Sequence, residues 1–83
     1  MDIEFDPAKD SVTIAKHGIS LARVVDLADG LFVEDDRFAE VRFRIYGTID
    51  GIAYCAAVTL RGQKVRVINL RRAHAKELRR HGR

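Results

Sequence analysis

The 83-residue sequence predicts an α+β domain in which an antiparallel β-sheet meander is packed by two N-terminal helices and one C-terminal helix. Three observations predict it. The first third carries two helix-start signals, each closed by a glycine. The middle alternates apolar and polar side chains on either side of Asp50-Gly51. The stretch from Leu70 to His81 has no glycine or proline inside it and reads as a helix.

Taken in order, residues 2–5 alternate polar and apolar, as a short strand does. Asp6-Pro7 then starts a helix, with Asp6 as N-cap and Pro7 in the first turn, where its missing N–H costs nothing. Gly18 closes that helix in the left-handed conformation, leaving Lys16 and His17 in the last turn, where cations suit the macrodipole. Ser20 caps a second helix, with Leu21, Val24, Val25 and Ala28 at helical spacing and Gly30 as its end. Leu31-Phe32-Val33 opens a strand that runs into Glu34-Asp35-Asp36.

The clearest strand follows. Val41, Phe43 and Ile45 point one way, and Glu40, Arg42, Arg44 and Tyr46 the other. Asp50-Gly51 is a hairpin dipeptide, after which Ile52, Tyr54, Ala56, Val58 and Leu60 share a face. Arg61-Gly62 turns the chain into a strand over Gln63–Asn69. The expected core is Ile3 or Phe5, Val12, Leu21, Val24, Leu27, Val41, Phe43, Ile45, Ala56, Val58, Val65 and Val67.

Composition bounds the function. Apolar residues at 47% and charged residues at 33% fit a soluble globular domain, and the length fits one domain over residues 1–83. Nothing approaches the roughly 18 apolar residues of a membrane span. The acidic start, Met1-Asp2-Ile3-Glu4, is unlike a secretory leader, so a cytoplasmic location is expected. A lone Cys55 leaves no disulfide framework and no Cys-based zinc site.

The charge is unevenly spread. Residues 1–60 carry six basic and eleven acidic side chains, whereas residues 61–83 carry nine basic ones and Glu77 alone. A stretch of +8 behind one of −5 points to a polyanion or an acidic protein as partner, although a solvated basic helix has the same composition.

Several residues suit proton transfer beside a phosphate, the chemistry that a polyanion partner would offer. That chemistry needs a proton acceptor, a proton donor and fixed positive charge on the transition state. His17 is the only histidine outside the basic tail, and histidine is the residue type that titrates near neutrality. Its helix-end position is equally explained by the macrodipole. Lys9 lies in a first helical turn, against the dipole, which flags it.

Glu40, Arg42, Arg44 and Tyr46 form a row at about 6–7 Å per step, close to a phosphate step, though solvated sheet faces look the same. Glu40 is the preferred general base of that row. Lys64 and Arg66 face away from Val65 and Val67, so Arg66 is expected to join it. Arg71 and Arg72 open the expected last helix at the wrong end for cations, which suggests an outside anion.

Other features carry less. Glu34-Asp35-Asp36 has no histidine nearby and adjacent strand residues diverge, so no metal site and no cofactor is expected. Cys55 alternates within an apolar strand as a small core residue would.

Ile3-Glu4-Phe5-Asp6 with Lys9, Lys16-His17-Gly18-Ile19, Asp35-Asp36-Arg37, Glu40-x-Arg42-Phe43 and Arg66-Val67-Ile68-Asn69-x-Arg71-Arg72-Ala73 occur in this order over nearly the whole chain. Together they resemble the BrnT toxins of bacterial type II toxin–antitoxin systems. Phe5 stands where a Trp is usual, and Asn69-Leu70 where the pair Ser-Ala is usual. The resemblance implies a RelE-like fold and an endoribonuclease that arrests growth, cutting RNA without a metal by attack of a 2′-hydroxyl on its own phosphate. It also implies neutralisation by a dimeric DNA-binding antitoxin, expected as a heterotetramer with the toxin. Lys9 matches the family's lysine. The expected catalytic set is Lys9, Glu40, Arg66, Arg71 and His17, and the expected RNA-binding set is Arg42, Arg44, Lys64 and Arg72. The alternative is a non-catalytic basic module that binds RNA, DNA or an acidic protein, an inactive toxin homologue included.

Overall fold

Local signals set the first elements. Asp6 accepts the Ala8 N–H at 2.9 Å and so caps helix α1 (Pro7–His17), which Gly18 ends at φ 71°. Asp10 reaches out of α1 to accept the Leu21 N–H at 2.7 Å and the Ser20 hydroxyl at 3.0 Å. One carboxylate thereby fixes the angle between α1 and the 3-10 helix (Leu21–Asp26) that follows.

The computed structural model describes residues 2–82. Its strands are β1 (Ile3–Glu4), β2 (Ala28–Asp35), β3 (Arg42–Ile49), β4 (Ile52–Arg61) and β5 (Lys64–Arg72), and helix α2 (Ala75–Arg80) closes the chain. The sheet order is β1-β5-β4-β3-β2. β2 to β5 form the antiparallel meander, and β1 lies parallel to β5 at one edge. The class is the α+β arrangement that the sequence predicts.

The 3-10 helix seals one sheet face. Leu21 and Val24 pack there on Ile45, Ile49, Ala56, Val58, Val67 and Leu70, with Phe43, Leu27 and Val65 at the margin. Gly47 has to be glycine, because a Cβ would lie 2.7 Å from the Ala28 carbonyl oxygen. α2 lies on the opposite face. Tyr46, whose neighbours Ile45 and Gly47 turn the other way, donates to Glu77 at 3.0 Å and stacks against His81 at 4.9 Å. Among the described residues no helix is long and apolar enough to cross a membrane.

Four expectations give way. The second helix is a 3-10 turn ending at Asp26, and Gly30 lies inside β2 instead of closing a helix. β3 begins at Arg42, which leaves Glu40 in the preceding loop. Val12 and Val41 are 63% and 51% exposed, because Thr13 takes the buried position on α1 and β3 starts one residue later.

The largest difference is at the end. Arg71 and Arg72 finish β5 and do not open a helix. A bulge opposite Ala57/Val58 inserts Ile68, so Val67 and Leu70, three apart, both face the core. That spacing imitates a helix, and pairing with β4 decides against it.

Leu70→Ala, at a site with no exposed surface, is expected to cost about 2–5 kcal/mol of unfolding free energy. Val12→Ala should stay within about 0.5 kcal/mol. Urea denaturation of both variants checks the pair; equal losses would contradict the assigned core.

Candidate active site

Register across three strands builds the open face. Arg42, Thr59 and Arg66 align in one row, Arg44, Ala57 and Asn69 in the next, and Tyr46, Cys55 and Arg71 in the third. The middle member of each row is small and the outer members are mostly long. β4 therefore forms the floor of a trough whose walls come from β3 and β5. A cavity of about 370 Å³ opens there, lined among others by Arg37, Arg42, Arg44, Arg71, Asn69 and Glu77.

A second groove of about 410 Å³ runs beside it, between α1 and the sheet, and Lys9, Lys16 and His17 line it. The two share Ala57 and Asn69, so they adjoin. Of the expected site residues, Arg42, Arg44 and Arg71 meet in the cavity, and Lys9 and His17 meet in the groove. Arg66 sits in register with Arg42 across Thr59. Glu40 stands exposed in the loop before β3, held by Arg42 at 2.8–2.9 Å.

Two residues fall outside the group. Lys64 is exposed at the β4–β5 turn, paired with Arg61 across the hairpin. Arg72 is in register with Tyr54 and points away from Arg71, so the two cannot act as one pair.

Each arginine of the trough has a carboxylate partner. Asp35 takes Arg37 at 2.6 Å and Arg44 at 3.4 Å, and Arg66 reaches Glu4 at 3.7 Å. Arg71 holds Glu77 with two bonds of 2.8 and 3.0 Å. Arg42 also lies over the Phe38 ring at 3.9 Å, which steadies its plane above the cavity.

These contacts shift several pKa values. The Arg71 bonds, reinforced by the His74 N–H and the Tyr46 hydroxyl, hold Glu77 down at about 2, against an ordinary 4.5. Hydrogen bonds from Arg37 hold Asp35 well below the usual carboxylate range. Burial pushes the Tyr46 phenol and the Cys55 thiol up, so both stay protonated at neutral pH. Cys55 is a free, buried thiol at the floor of the cavity. Among the described residues no three His, Cys, Asp or Glu side chains cluster as a metal site would require.

Asp35, Asn69 and Glu77 were not among the expected site residues. Glu77 carried a signal, since it is the only acid after residue 60 and stands three residues beyond His74, the spacing of a capping box. Its carboxylate does accept the His74 N–H, at 2.9 Å.

Comparison with known proteins adds identity to this geometry. A family model described as "Ribonuclease toxin, BrnT, of type II toxin-antitoxin system" matches residues 5–77. Among solved structures, the chain is similar to the crystal structure of the Brucella abortus ribonuclease toxin, BrnT. The two are 26% identical with a TM-score of 0.74, over 89% of this chain and 97% of that one. Among curated proteins, none matches the chain.

Glu77 makes α2 docking acid-sensitive. Its folded pKa lies below its unfolded one, so its contribution is complete above pH 4.5 and is lost as pH falls towards 2. Circular dichroism in fixed urea should show wild-type protein losing stability through that window. Glu77→Gln should lack this component and retain only that of Asp35. Identical acid profiles would refute the Arg71–Glu77 linkage.

Proposed function

The chain belongs to the BrnT family of ribonuclease toxins of type II toxin–antitoxin systems, and from that premise we propose that it cuts RNA without a metal ion, at the trough of its sheet. The observation that carries this reading is the junction of two surfaces at Ala57 and Asn69: an arginine-walled cavity and a groove bearing Lys9 and His17. Phosphate charge and proton transfer can be served side by side there.

In this reading a substrate phosphate lies over Ala57. The 2′-oxygen forms a bond to phosphorus and gives up its proton, the bond to the 5′-oxygen breaks, and that oxygen takes a proton. Glu40, kept in place by Arg42, accepts the first proton from the β3 side. Lys9 and His17, on the opposite bank, supply the second. Placing acid and base on two sides suits an in-line displacement. Arg42, Arg44, Arg66 and Arg71 stabilise the charge that builds on the phosphorane-like oxygens. Lys64, further off, guides the RNA strand by charge alone, and Arg72, on the other face of β5, adds only to the long-range field.

The expected partner is a DNA-binding antitoxin, dimeric and forming a heterotetramer with two toxin chains, in the cytoplasm. Covering the trough would silence the enzyme. A second reading, an inactive homologue, has one observation in its favour: every trough arginine already has a carboxylate neighbour, which leaves less free positive charge for a transition state.

Induced expression without the antitoxin gene should arrest growth and shorten cellular RNA. Lys9→Ala and Arg66→Ala should each lower cleavage about 10²-fold or more. Both residues make few contacts, so the thermal midpoint should move by no more than about 4 °C. A protein that shifts RNA intact on gels, with steep salt dependence, is a binder instead.

A further inference from the structure

Glu77 is the only carboxylate among residues 61–83, and it sits on the cavity wall with its side chain 13% exposed. Its Oε1 accepts from Arg71 Nη1 at 2.8 Å, and its Oε2 accepts from Arg71 Nη2 at 3.0 Å and from the Tyr46 hydroxyl at 3.0 Å. Two parallel bonds from one guanidinium, with a hydroxyl closing on the same oxygen, form the donor pattern that also suits two oxygens of a phosphate. Carboxylate and phosphodiester carry the same single charge. They differ in reach: a phosphate over Ala57 has Arg42 and Arg44 in the same cavity, and neither of these is bonded to Glu77.

The segment that carries Glu77 is slight. α2 has six residues and none is buried. Glu77 and the His81 ring, which lies 4.9 Å from the Tyr46 ring, tie it to the sheet. The donors are anchored quite differently. Tyr46 and Arg71 stand on β3 and β5, on either side of Cys55, and Tyr46 is 1% exposed. Burial keeps the Tyr46 phenol protonated and so available as a donor.

The geometry points to Glu77 as an internal stand-in for an RNA phosphate: Arg71 and the Tyr46 hydroxyl form a phosphate site that Glu77 fills in the free protein, and an entering phosphate displaces the carboxylate and releases α2. This rests on the reading of the trough as the RNA-cleaving site. It adds the Tyr46 hydroxyl to the arginines that touch the phosphate, and it makes the free enzyme self-blocked. On release, Glu77 keeps Arg80 three residues on along its own helix, so its charge still has a cation beside it outside the cavity.

The test uses the full chain and two probes that are not cut: inorganic phosphate and an oligonucleotide with 2′-deoxy sugars. Glu77→Gln should bind the oligonucleotide about tenfold more tightly than wild type at equal salt. Asp50→Asn, which removes one acid from the distant β3–β4 hairpin, should gain far less. Adding Tyr46→Phe to Glu77→Gln should cancel most of the gain. Equal gains in Glu77→Gln and Asp50→Asn would overturn the proposal, because the effect would then be net charge alone.

Trypsin offers a check on unaltered protein. Inorganic phosphate should speed cleavage after Lys76 and Arg79 as α2 comes free; unchanged or slower cleavage would overturn the proposal even if a variant failed to fold. RNA incubated alongside separates this idea from its premise. Tighter binding by Glu77→Gln with no cutting by any form would remove the ribonuclease reading and keep the site, and cutting without the binding gain would do the reverse.

Discussion

Strand register is the constraint on which the remaining features depend. Side chains at Arg42, Arg44 and Tyr46 share a face because they alternate with Phe43 and Ile45, whose burial leaves no freedom to turn the strand over. β4 answers with Thr59, Ala57 and Cys55, all small, and β5 with Arg66, Asn69 and Arg71. A trough follows from the difference in side-chain length across the three strands. The bulge at Ile68 is part of the same construction. It turns Leu70 into the core and keeps Asn69 and Arg71 on the open side, so β5 serves both faces to its last turn.

Four arginines on one face repel each other, and the protein relieves this with carboxylates from both halves of its sequence. Glu4, Asp35 and Glu40 come from the acidic first sixty residues, and Glu77 from the basic remainder. The partners are not equivalent. Glu40 is 47% exposed, and a pair so open to solvent contributes little. Asp35 and Glu77 are 11% and 13% exposed, where charges interact more strongly and an unpaired one is costly. The asymmetry in the sequence thus has two destinations. Part of it is consumed inside the molecule, as between Arg66 and Glu4, and what faces outward is concentrated around one cavity.

Much of this was legible in the sequence, for reasons that can be named. Caps at Asp6, Gly18 and Ser20, the turn at Asp50-Gly51 and the alternation through β3 and β4 are local signals, and each describes its element correctly. Alternation also put Arg42, Arg44 and Arg66 on a common face. What stayed hidden was non-local. No local pattern shows that β1 would join β5 in parallel, that α2 would cross to the face away from the 3-10 helix, or that a bulge would make a strand end look helical. The misreading of Arg71 and Arg72 as helix-opening residues has that last cause. It had a further effect, since two cations at a helix start seemed to need an outside anion, whereas Arg71 is answered by Glu77 from within.

A chain this short has a thin core, and its stability is therefore unevenly distributed. The trough floor lies over the best-packed part, where Ala56, Val58 and Val67 meet Leu21 and Val24. The pieces around it are held by polar contacts: α2 through Glu77, and the loop before β3 through Arg37, Phe38 and Arg42 against Asp35 and Glu40. Ion pairs exchange partners more readily than packed hydrocarbon does, because a competing anion can satisfy the same donors. A polyanion that approached the trough would thus compete with the contacts that hold its rims, while the floor that orients Arg44, Asn69 and Arg71 stayed in place. Rigid donors below and exchangeable acceptors above are what a site needs if it is to be neutral when empty and cationic when its substrate arrives.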